Sequence, residues 1–61
     1  MKYLVKITED TRTANVFYDP QSYEYEVEYL ENEINRGLHF FNTQYEAVQS
    51  AMFYTSEGVM K

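Results

Sequence analysis

The chain has 61 residues, 44% of them hydrophobic and 18% aromatic, and ten acidic residues against five basic ones give a formal charge of −5. A chain of this length holds one domain, residues 1–61, which buries only about 60% of its unfolded surface. The absence of cysteine excludes a disulfide framework and a thiolate metal site and leads to the expectation of a reducing, cytoplasmic setting, while the acidic balance argues against direct binding to nucleic acid or an anionic membrane, both of which need a Lys/Arg patch.

The start, Met1-Lys2-Tyr3-Leu4-Val5-Lys6-Ile7, is too short for a signal peptide and has no small-residue cleavage site. No apolar run reaches the ~20 residues of a membrane-spanning helix. Residues 3–8 alternate, with Tyr3, Val5 and Ile7 on one side and Leu4, Lys6 and Thr8 on the other, as in a strand buried on one face. Glu9 to Thr13 is polar and turn-like. Ala14 to Tyr18 holds Val16, Phe17 and Tyr18, a second β-prone run that pairs naturally with the first as a hairpin.

Asp19-Pro20 reads as a helix N-cap followed by a first-turn proline, and Gly37 with Arg36 before it reads as the matching C-terminus. Between them Tyr23, Val27, Leu30 and Ile34 span about 60° of a helical wheel. The same residues admit a strand, since Tyr23-Glu24-Tyr25-Glu26-Val27-Glu28-Tyr29 alternates throughout. In that case residues 19–22 form a β-turn and Asn35-Arg36-Gly37 a hairpin loop. The helix is preferred because the stripe continues to Ile34, both caps agree, and glutamate forms helices more readily than strands. Leu38 to Phe41 reads as a strand, with His39 facing outward if Phe40 is buried and inward if Phe41 is. Thr43-Gln44-Tyr45-Glu46 is a capping box. It opens a helix of about residues 44–55 with Ala47, Val48, Ala51 and Met52 inward, stopping before Gly58, after which the last residues are expected to fray. The expected fold is thus α+β, a single-layer antiparallel sheet with two helices on one face in the order β-β-α-β-α. The alternative is a four-stranded antiparallel sheet with one C-terminal helix.

Catalytic patterns are missing. His39 is the one histidine and Gly37 and Gly58 the only glycines, so neither a usual zinc site nor a phosphate-cradling loop can be assembled. Ser22, Ser50 and Ser56 lie in no nucleophile motif. We therefore expect no enzyme activity, no cofactor and no metal.

Five of the ten acids lie between residues 24 and 33, as Glu24, Glu26, Glu28, Glu31 and Glu33, interleaved with Tyr25 and Tyr29. No Lys or Arg lies between Arg12 and Arg36, so the block has no neutralising neighbour in the sequence. Tyrosine is enriched at binding hot spots, glutamate generally is not. These seven residues are the expected partner-binding site. As a helix, Glu24, Glu28 and Glu31 form one row; as a strand, Glu24, Glu26 and Glu28 line one face at ~6.8 Å intervals, comparable to successive phosphates of a DNA strand. Many phage-encoded inhibitors of host defence or repair enzymes share this small, acidic, cysteine-free composition. The expectation is an inhibitor that occupies the basic, nucleic-acid-binding surface of a partner protein. The alternative is an assembly module that self-associates through exposed aromatics.

Overall fold

The computed structural model describes residues 1–59. Four strands, β1 (Lys2–Glu9), β2 (Arg12–Asp19), β3 (Glu24–Glu31) and β4 (Ile34–Phe41), are followed by one helix, α1 (Gln44–Val59). The strands pair antiparallel in chain order, β1-β2-β3-β4, and α1 packs on one face of the meander, chiefly over β1, β2 and β3. The fold is the four-stranded alternative; the β-β-α-β-α order and the first of the two helices are overturned. No helix among the described residues is long and apolar enough to cross a membrane.

Segment 20–36 is a loop, a strand and a hairpin because the period-two pattern buries more than the helical stripe does. As a strand, Tyr25, Val27 and Tyr29 all turn toward α1, with Val27 paired to the buried Val16. The helical stripe would instead have buried Tyr23 and Ile34, which are 75% and 63% exposed. It would also have stacked Glu24, Glu28 and Glu31 at helical spacing, where like charges repel. The capping signals are absorbed by turns. Asp19 Oδ1 accepts the Gln21 N–H at 3.0 Å, and the Asp19 carbonyl accepts the Tyr23 N–H at 2.9 Å. Asn32 and Glu33, at φ 51° and 68°, make the two-residue β3–β4 turn, with positive φ at both positions as in a type I′ turn. This turn lies three residues before the expected loop. Gly37 sits instead inside β4, opposite Tyr29 beside a bulge, at φ 145°.

A second bulge, between Tyr3 and Val5, resets the alternation of β1. Leu4 and Ile7 pack against the core, whereas Tyr3 shares the opposite face with Phe17, ring centroids 5.4 Å apart. The expected grouping of Tyr3 with Val5 and Ile7 is corrected accordingly. Helix α1 starts at its expected cap: Thr43 Oγ1 accepts the Glu46 N–H at 3.2 Å and donates to Glu46 Oε1 at 3.1 Å. The helix continues past Gly58 to Val59; the expected fraying of the final residues falls on 60–61, outside the described residues.

The fully buried hydrophobic side chains are small: Ala14, Val16, Val27, Ala47 and Ala51. Met52, expected inward, is 49% exposed. Thr55 takes an inward place, its hydroxyl donating back to the Ala51 and Met52 carbonyls, each at 3.1 Å. Alanines let the helix lie close to the sheet. The larger side chains, Leu4, Ile7, Tyr25, Tyr29, Phe41 and Tyr54, close the rim of this core.

Candidate functional site

The strand geometry divides the expected partner-binding residues into three groups. Glu24, Glu26 and Glu28 point to the face that α1 leaves uncovered, since their alternates Tyr25, Val27 and Tyr29 face the helix. Asp19 pairs with Glu24 in register, which extends the row to a fourth carboxylate. Phe17 on β2 and Phe40 on β4 flank Glu26 from either side, and Asn15 and Leu38 flank Glu28. The amide nitrogens of Asn15 and Asn35 donate to the two oxygens of Glu28, at 3.1 and 3.0 Å. Among the described residues no Lys or Arg forms an ion pair with any carboxylate of this row; the ion pairs all involve Arg12.

Tyr25 and Tyr29 belong to the opposite side. Their rings pack at 4.9 Å against Tyr18 of β2 and Tyr54 of α1 respectively, and both are half-buried at the rim of the core beneath the helix. Glu31 is also on that side. It accepts from Arg12 Nε at 2.8 Å and from the Thr11 hydroxyl. These donors, Thr11 first and then Arg12, hold its carboxyl below the ordinary glutamate range. The Arg12 guanidinium lies 4.7 Å over the Tyr54 ring, bonds the Tyr54 carbonyl at 3.2 Å and meets Glu57 at 3.6 Å. The neutralising partner missing from the sequence neighbourhood of Glu31 therefore arrives across the sheet. Glu33 stands exposed in the β3–β4 turn, away from the row.

The residues that sequence reasoning missed are Asp19, read as a helix cap, and the apolar shoulders Tyr3, Phe17, Leu38 and Phe40. Register alone places them beside the glutamates, and register is set by turns and bulges that the sequence shows only weakly.

On the helix side, an open groove of about 310 Å³ is lined by Tyr29, Arg36, His39, Ser50, Phe53, Tyr54 and Glu57. Phe41 is the half-buried phenylalanine of the pair, so His39 turns to the helix side and stacks on Phe41 at 4.9 Å. The Ser50 hydroxyl bonds Tyr29 at 2.5 Å and not a base, so it is not arranged as an activated nucleophile. No cluster of three or more His, Cys, Asp or Glu able to hold a metal occurs among the described residues. No protein-family model, curated protein or solved structure matches this chain.

Proposed function

We propose that this chain is an acidic protein-binding inhibitor that sets its uncovered sheet face against a basic, nucleic-acid-binding surface of a partner protein. The observation that carries this reading is the row Glu24-Glu26-Glu28, extended by Asp19, with no cationic partner among the described residues. Glutamate is disfavoured in strands, and directly opposed like charges such as Asp19 and Glu24 destabilise a sheet. Stability alone would not select this arrangement; a complementary basic surface would turn its cost into steering and specificity. The apolar shoulders supply contact area beside the charges, and a row at ~6.8 Å spacing presents negative charge along a line, as a nucleic-acid strand does.

Affinity capture from the native host with wild-type bait should retain a basic protein. Double-stranded DNA and added salt should release it, because exposed charge pairs are screened. A bait carrying E24K, E26K and E28K should fail to capture it, whereas an E31Q bait should succeed. Capture that ignores the triple reversal, salt and DNA would refute the reading.

Self-association is a second reading, favoured by a separate observation. Ile34, Leu38 and Phe40, 63%, 53% and 51% exposed, all lie on the edge strand β4. Sedimentation equilibrium over a hundredfold concentration range tests it, and a strict monomer throughout counts against it.

A further inference from the structure

We infer that β4 pairs antiparallel with β4 of a second copy of this chain, with the two-fold axis passing through His39. The inference rests on the self-association reading and supplies its edge and register.

The two edges of the sheet differ. The free edge of β1 carries Lys2 and Lys6 and is broken by the bulge between Tyr3 and Val5, the usual devices that keep strand edges apart. β4 carries no Lys, and it alone of the four strands has no acidic residue. In a chain of charge −5, it is the strand along which two copies meet with the least repulsion. From Leu38 to Phe41 its pairing with β3 is regular, so an extended row of outward N–H and C=O groups is available to a new strand.

The apolar side chains select the register. Two antiparallel strands related by a two-fold axis normal to the sheet keep the same faces, so the axis must pass through a residue position. At His39 it sets Leu38 opposite Phe40 of the second copy, and Phe40 opposite Leu38. The four exposed apolar side chains then cover one another on the uncovered face. The same register sets Phe41 of the second copy opposite Gly37, where even an added Cβ would meet nothing within 4 Å. An aromatic ring across from an edge glycine is a favourable sheet pairing. Because α1 lies chiefly over β1 to β3, the helix side of β4 stays open for this approach. The product is a continuous eight-stranded sheet whose two β3 strands lie three strand spacings apart, about 14 Å, with both glutamate rows on one face.

The chain has no cysteine, so single-cysteine variants report the register directly. Residues facing each other across an antiparallel pair have Cα atoms ~4.5–5.5 Å apart, within reach of a disulfide. Under mild oxidation H39C should form a covalent dimer and K6C, on the other edge, should not, with far-UV circular dichroism confirming that both fold. F40K should weaken dimerisation at least tenfold in sedimentation equilibrium while keeping the wild-type spectrum. A dimer that forms without an H39C cross-link, or that F40K leaves intact, overturns this edge and register and spares self-association. A strict monomer overturns both.

Discussion

Glu33 occupies a left-handed backbone position, φ 68°, as the second residue of the β3–β4 turn, after Asn32 at 51°. Asparagine tolerates that conformation and glutamate does so poorly. Replacing Glu33 with glycine creates the favoured Asn-Gly turn and should stabilise the fold by about 1 kcal/mol in urea denaturation. Gly37 is the converse case: at φ 145° an alanine has open space but a forbidden backbone, so Gly37→Ala should cost about 1–3 kcal/mol. In the core, Val27→Ala removes two methylene equivalents at a fully buried site and should cost about 2 kcal/mol. That is a large share of the roughly 3–9 kcal/mol available to a domain of this size. Glu31 adds a pH dependence. Its carboxyl titrates below the ordinary range because Thr11 and Arg12 donate to its ionised form. The stabilisation is therefore complete above its unfolded value of about 4.3 and lost as pH falls through the lower folded value. The urea midpoints of wild type and Glu31→Gln should differ at pH 7 and converge on acidification toward pH 2.

At the scale of elements, β3 shows how two periodicities compete. Capping residues at both ends and the stripe Tyr23, Val27, Leu30, Ile34 favour a helix, whereas the Tyr/Glu alternation favours a strand. Each end signal has a second use in the structure, Asp19 in a turn and Gly37 at a bulge. Such residues suit several kinds of chain reversal, so the local pattern could not rank the two. The decision came from tertiary pairing, with Val27 against Val16 and Tyr29 against Ala14. Where no such competition existed, the patterns placed the elements but not all of their bounds: the first hairpin, the strand through Leu38–Phe41 and the helix behind Thr43 are all present, while β4 begins earlier, at Ile34, α1 runs past Gly58, and the bulge in β1 turns Tyr3 away from Val5 and Ile7. The candidate site was legible as a block, and as a surface only in the strand alternative, where alternation puts Glu24, Glu26 and Glu28 on one face and Tyr25, Tyr29 and Glu31 on the other; the preferred helix grouped Glu24, Glu28 and Glu31 instead. Strand β3 also permits a test that separates stability from function. Glu26 lies between Phe17 and Phe40, so Glu26→Val should raise stability by roughly 0.5–1 kcal/mol while weakening capture of the partner. A variant that is both less stable and fully active would contradict the proposed role of the row.

The whole molecule is one sheet with two unlike faces. One face holds a core of alanine and valine beneath α1, and the other presents carboxylates between apolar shoulders. This division has a consequence for the order of folding. Every strand pairs with its neighbour in the chain, so the meander can assemble at small loop-closure cost. Its carboxylate face needs no cover, but the face bearing Ala14, Val16 and Val27 does, and the residues that cover it, Ala47, Ala51 and Thr55, all come from α1. A meander formed before α1 docks therefore displays a complete sheet with a bare apolar side. The interval between sheet formation and docking of α1 is when this chain is most exposed to chaperones, to proteases and to other copies of itself.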